Sequence, residues 1–144
     1  MTVRPEVVLA RLAQLARALA QLGRLTALTR EERARDPVNQ FALERALHIA
    51  AEAIFDIGHH VLAGRGLVVP AQYRDILPAL AAAGVIRREH AERAEGLAGL
   101  RNLIVHDYAD IDPERLWQLA DTRLGDLHAL HEELSQLPEL GRAR

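Results

Sequence analysis

Two apolar stripes at helical spacing constrain this chain more than any other feature. Val8, Leu12, Leu15, Leu19 and Leu22 follow one another at steps of 4, 3, 4 and 3. That spacing places them on one face of an α-helix over about residues 3–28. Leu9, Leu25 and Leu28 widen the stripe, and Gly23 is its weak point. Toward the other end, Leu116, Ala120, Leu124, Leu127, Leu130 and Leu134 repeat the pattern. A half-buried strand would alternate every second residue, which neither segment does. Composition agrees: Ala and Leu supply 25 and 24 of the 144 residues, against 3% aromatic. A sandwich or barrel would draw instead on Val, Ile, Thr and aromatic side chains.

The middle of the chain reads as more helix. A charged stretch from Arg30 to Arg35 leads to Asp36-Pro37, where Asp can cap free amides and Pro suits the first helical position. The helix that follows is expected to reach about Ala63, with Phe41, Leu47, Ile54, Ile57 and Val61 inward, and to be stopped by Gly64 and Gly66. Residues 70–80 suggest a short helix weakened or kinked by Pro78 and ended by Gly84. Residues 87–105 are helical in pattern, with Ala94, Leu97, Leu100 or Arg101, and Ile104 on successive turns, despite Gly96 and Gly99. Asp112-Pro113 repeats the start signal for the last helix, which Pro138 and Gly141 end. The expectation is an all-α bundle of four long helices plus one short helix, forming a single domain over residues 1–144.

Charge and cysteine content narrow the chemistry. The 18 basic and 20 acidic residues leave a net charge of −2, so any nucleic-acid site must be local. Every basic residue is Arg, which coding bias explains and which also suits bidentate phosphate binding. Without cysteine there is no thiol nucleophile, disulfide framework or thiolate metal site. No apolar run approaches the roughly 18 residues of a membrane span. Arg11 and Arg17 interrupt the first segment, so no signal-peptide core is visible and a cytoplasmic protein is expected.

One stretch can do chemistry. In residues 100–108, Arg101, Asn102, His106 and Tyr108 surround three apolar residues that anchor the segment. His titrates nearest neutral pH and can move a proton, and Arg is a permanent cation whose fork fits a phosphoryl group. Together they suit metal-free RNA cleavage by the neighbouring 2′-hydroxyl. Five residues apart on an ideal helix, Arg101 and His106 lie about 140° apart around the axis. Either the helix ends near His106 and the chain turns, or the pocket lies between two chains. An Arg and a His near a helix end can equally be charges that complement the helix dipole.

Residues 101–108, Arg-Asn-Leu-Ile-Val-His-Asp-Tyr, resemble the Arg-x4-His-x-Tyr signature of HepT-like proteins in the HEPN superfamily. Residues 41–58 resemble the family's second helix. Pro70-Ala-Gln-Tyr73-Arg74-Asp75, with Leu80 and Gly84-Val-Ile86, resembles its short third segment. The resemblance covers about residues 4–135, and Pro78 departs from it. It implies a HEPN-type bundle and a metal-independent endoribonuclease toxin that needs no cofactor, with Arg101 and His106 catalytic and Asn102 as a supporting polar residue. It also implies a homodimer whose two motifs face a shared cleft. The implied partner is a nucleotidyltransferase antitoxin of the MNT type, which silences the toxin by placing AMP on Tyr108. The competing expectation is a non-catalytic helical subunit that presents substrate to a nucleotidyltransferase. The chain itself has no Gly-rich phosphate loop and no Gly-Ser or paired-Asp signature, so it is not read as that enzyme.

Other groups carry weaker signals. His59-His60, with His48 and Asp56, could suggest a metal, but adjacent helical residues diverge by about 100° and chelate poorly. His128 and His131 share a helix face near Glu132, where a solvated surface is expected. Asp56 sits among apolar neighbours and, if buried, needs a partner: either an Arg at the cleft or local packing. Tyr73-Arg74-Asp75 is read as local packing, and Trp117 as a core or interface anchor.

Overall fold

The structure is a computed structural model and describes residues 2–141, with the backbone alone at Tyr108. Among the described residues, eight helices follow in order: α1 Pro5–Thr26, α2 Arg30–Arg35, α3 Val38–Gly64, α4 Ile76–Ala82, α5 Arg88–Arg93, α6 Leu97–His106, α7 Pro113–Ser135 and α8 Pro138–Gly141. Single 3₁₀ turns lie at Tyr73–Asp75 and Tyr108–Asp110, and no strand occurs among the described residues. The all-α bundle read from the two stripes is the observed fold.

The central member is α3. It packs along α1, while α7 lies against both, and α6 and α4 cover its remaining sides. Val8, Leu12, Leu15, Leu19 and Leu22 of α1 are all buried, as are Leu116, Ala120, Leu127, Leu130 and Leu134 of α7. They join Leu47, Ile54, Ile57 and Val61 of α3 in one continuous apolar cluster. Burying each such Leu or Ile contributes about 1.5–3 kcal/mol.

The Asp112-Pro113 signal acts as read, with Pro113 first in α7, whereas Pro37 stands one residue ahead of α3 as its N-cap. Asp36 Oδ1 accepts from the Val38 N–H at 3.0 Å, and Asp112 Oδ1 from the Glu114 N–H at 3.1 Å. Gly66 and Gly84 take positive φ values of 71° and 75°, which close α3 and α4. Gly64 does something else: a Cβ there would lie 2.6 Å from the Val3 backbone nitrogen, so its bareness lets the N-terminal segment cross the end of α3. Pro78 is the third residue of α4. Its missing N–H falls in the first turn, where no intrahelical acceptor exists, so the helix forms around it.

Several expectations need correction. Phe41 is 59% exposed and not inward. It lies six residues before Leu47, about 120° around an ideal helix from the buried face. The helix expected over residues 87–105 is two helices, broken at Ala94–Gly96, although Ala91, Ala94, Leu97 and Ile104 stay buried. The charged stretch forms α2. Its start is a capping box in which the Glu32 N–H donates to Thr29 Oγ1 and the Thr29 N–H donates to Glu32 Oε1. The last helix ends at Ser135, and Pro138 opens a further short turn of helix.

Candidate functional site

The 101–108 segment is carried by α6 and the turn that ends it. Ile104 fixes the helix to the core, with Leu100 and Leu103 half-buried. The helix stops at His106, the Asp107 N–H donating back to the Leu103 carbonyl at 3.0 Å. The Asp110 N–H then donates to the Asp107 carbonyl at 2.9 Å and closes the turn. The chain therefore turns immediately after His106, the first of the two arrangements the spacing left open. His106 is exposed at this helix end.

Arg101 points back into the molecule, toward α3 and the Tyr73–Asp75 turn. Its Nε donates to Glu52 Oε1 at 2.6 Å and its NH1 donates to Asn102 Oδ1 at 3.0 Å. Its guanidinium lies 4.1 Å over the Tyr73 ring. Only 14% of the side chain is exposed. Tyr73 is itself fixed by an edge-on contact with the fully buried Phe55 at 5.1 Å and by the His59 ring at 5.7 Å.

Glu52 belongs to a polar strip along α3: His48, Glu52, Asp56 and His59, at steps of 4, 4 and 3. His48 Nε2 lies 3.6 Å from Glu52 Oε1, and Arg45 NH1 approaches His48 Nδ1 at 3.4 Å. Asp56 meets Arg11 of α1 at 3.3 Å rather than a motif residue. Burial holds the Asp56 carboxyl above the usual carboxylate range, against the pull of Arg11, and the nearby Glu52 charge pushes the same way as burial. A groove of about 520 Å³ between α1 and α3, lined by Gln14, Arg17, Arg45, His48 and Glu52, opens beside this strip. Asn102 lines a second cleft of about 640 Å³, between α6 and α7, together with Asp107, Arg115 and Arg123.

The sequence singled out Arg101, Asn102 and His106, and the structure joins the first two by a hydrogen bond while placing His106 at the helix end. The Tyr108 side chain lies outside what the structure describes. Glu52 went unnoticed, and Tyr73 was taken for packing. The available signal was the polar strip itself, a run of ionisable residues at helical spacing on an otherwise apolar helix. His60 Nε2 accepts from the Arg4 backbone N–H at 2.9 Å, which gives it a structural task at the start of α1. Trp117 is 8% exposed and carries the Arg33 guanidinium 4.4 Å above its ring, so it anchors the core.

Residues 15–134 match the sequence profile of the family described as Ribonuclease HepT-like. An mRNA nuclease HepT from Shewanella oneidensis is 29% identical over 80 residues, which span 56% of this chain and 60% of that protein. The match thus covers less than two thirds of the relative's length. A tri-AMPylated Shewanella oneidensis HEPN toxin, solved in complex with its MNT antitoxin, superposes with a TM-score of 0.79 at 21% identity. That superposition covers 90% of this chain and 96% of the toxin. A cytosolic Bacillus subtilis protein of unknown function, YutE, superposes at 0.73 with 20% identity, over 92% of this chain and 93% of its own. At such identities the superpositions establish the fold. No helix among the described residues is long and apolar enough to cross a membrane.

Proposed function

The chain belongs to the HepT-like ribonuclease family, and from that membership we propose that it is a metal-independent endoribonuclease toxin acting through Arg101 and His106. The observation that carries this reading is the state of the motif. Its Arg is a half-buried, hydrogen-bonded guanidinium, and its His stands exposed at a helix terminus where the chain turns.

The chemistry needs only these groups. An imidazole at position 106 takes the proton of an RNA 2′-hydroxyl or returns one to the departing 5′-oxygen. The 2′-oxygen attacks the adjacent phosphorus, and the P–O5′ bond breaks. Charge on the phosphorane peaks at that moment, when the Arg101 guanidinium stabilises it most. Asn102, bonded to Arg101 NH1, supports the guanidinium from its own helix.

Control is assigned to a nucleotidyltransferase antitoxin that places AMP on Tyr108. Phosphate added two residues past His106 introduces negative charge and bulk where substrate phosphate must sit. A homodimer that brings two motifs to one cleft would double the local cation count of a chain whose net charge is −2. The relatives named above, a nuclease and a toxin held by an MNT antitoxin, support this assignment. Expression in a bacterial host tests it: growth should arrest with the wild-type chain and recover with His106→Ala. Arrest that persists unchanged with His106→Ala would remove the catalytic role.

A further inference from the structure

We propose that Glu52 and Tyr73 are positioning residues that hold the Arg101 guanidinium ready for the scissile phosphate. The proposal rests on Arg101 being the phosphate-binding cation, and it concerns how a long, flexible side chain is kept in place for that task.

The geometry of this ion pair differs from that of two other arginine–carboxylate pairs in the molecule. Arg33 grips Asp121 with two terminal nitrogens, each 2.8 Å from a separate carboxylate oxygen. Arg65 grips Glu139 through Nε and NH2, each at 3.0 Å from a separate oxygen. Both are fork-on-fork pairs that commit the guanidinium to its carboxylate. Glu52 instead contacts Arg101 by one oxygen on Nε, at 2.6 Å. Asn102 takes one N–H of NH1. Of the five N–H donors of a guanidinium, three have no partner among the described residues: both on NH2 and one on NH1. Those are the terminal nitrogens, the edge that meets a phosphoryl group end-on.

Tyr73 supplies the remaining restraint. Its ring, held edge-on against Phe55, carries the guanidinium carbon 4.1 Å from its centroid. A hydrogen bond at the near end, a second at one side and an aromatic face below restrain the guanidinium together. Such preorganisation costs nothing when charge develops in the transition state, which is why it accelerates a reaction rather than merely binding substrate. A Tyr ring needs no hydroxyl for this task, and Glu52 needs its acceptor oxygen more than its full charge.

The test is steady-state RNA cleavage by Glu52→Ala, Glu52→Gln, Tyr73→Leu and Tyr73→Phe, alongside Arg101→Ala, with melting curves for each. Glu52→Ala and Tyr73→Leu should lower kcat by about 10²-fold with KM little changed, the scale expected when a reacting group is misplaced by about 1 Å. Tyr73→Phe should keep wild-type kcat, and Glu52→Gln should fall between Glu52→Ala and wild type. The ¹⁵N-detected Arg101 Nε–H exchange rate should rise in Glu52→Ala and stay slow in Tyr73→Phe. Wild-type kcat in Glu52→Ala and Tyr73→Leu, with Arg101→Ala inactive, would overturn the positioning role and leave the role of Arg101 standing. Full activity in Arg101→Ala would overturn the underlying assignment itself. Should Glu52→Ala melt early, Glu52→Gln and the Tyr73 pair still decide the matter.

Discussion

Arg33 and Arg101 show what the same side chain does in two settings. Arg33 is consumed by structure: it bonds both oxygens of Asp121, the Thr26 and Leu28 carbonyls, and stacks on Trp117. Arg33→Ala should therefore cost about 2 kcal/mol in chemical denaturation, since it strands carbonyl acceptors as well as a carboxylate. An unchanged midpoint would contradict that role. The bond from Arg33 also holds the Asp121 carboxyl below its ordinary 3.8. A lowered carboxylate pKa stabilises the fold above the unfolded value, and the contribution is lost as pH falls through the folded one. Wild-type melting temperature should thus drop more steeply below pH 3.8 than that of Asp121→Asn, by a contribution of about 1 kcal/mol for this partly exposed pair. Parallel acid profiles would count against the linkage. Asp56 runs the other way, its raised pKa favouring the fold at acid pH and less so as pH rises. At this scale the sequence disclosed the motif residues, because Arg, Asn and His fall together in an apolar context. It did not disclose Glu52 or Tyr73. Each is 28 or more residues from Arg101, and only the packing of α3 and the Tyr73–Asp75 turn against α6 brings them to it.

Among the elements, the long helices and the short α4 were legible, whereas α2, α8 and the separation of α5 from α6 were not. Hydrophobic periodicity needs several turns to register, so α1 and α7 stood out, whereas α2 buries no residue and has no stripe to read. What makes α2 is local: the Thr29–Glu32 capping box and the grip of Arg33 on α7. Thr29→Ala should destabilise the protein by about 1 kcal/mol in a denaturant titration, the usual worth of such a cap. No measurable change would mean that α2 depends on Arg33 alone. Phe41 misled because an aromatic residue near an apolar helix invites burial, while its angle places it outside. The seam between α3 and α4 depends on Gly58, where a Cβ would come within 2.7 Å of Ile76 Cγ2 and 3.2 Å of Leu80 Cδ1. Gly58→Val should cost about 1–3 kcal/mol through overpacking, and more if α4 lifts away. Since α4 follows directly on the Tyr73–Asp75 turn, that substitution should also lower RNA cleavage. A Gly58→Val protein with wild-type stability would show that the seam yields without strain.

For the molecule as a whole, a net charge of −2 means that any attraction for RNA must be concentrated. Arg17 and Arg45 face the groove beside the Arg101 cluster, with no carboxylate within 4 Å of either among the described residues. Pairing two chains would bring such cations together, so light scattering should report about twice the 16.0 kDa chain mass. A stable 16.0 kDa particle that cleaves RNA would contradict the shared cleft. The partner enzyme and ATP should add AMP to the wild-type chain but not to Tyr108→Phe, and mass spectrometry distinguishes the two. The bundle was legible because its pattern repeats over whole helices. Whether and how two copies would meet was not, because no periodicity encodes it. The most direct measurement is cleavage of a single RNA by purified protein in excess chelator, wild type beside His106→Ala. Wild type should cleave it to leave a 2′,3′-cyclic phosphate and a 5′-hydroxyl, with a loss of about 10²–10⁴-fold in His106→Ala. Wild-type cleavage rates in His106→Ala, or activity that disappears with the chelator, would contradict that mechanism.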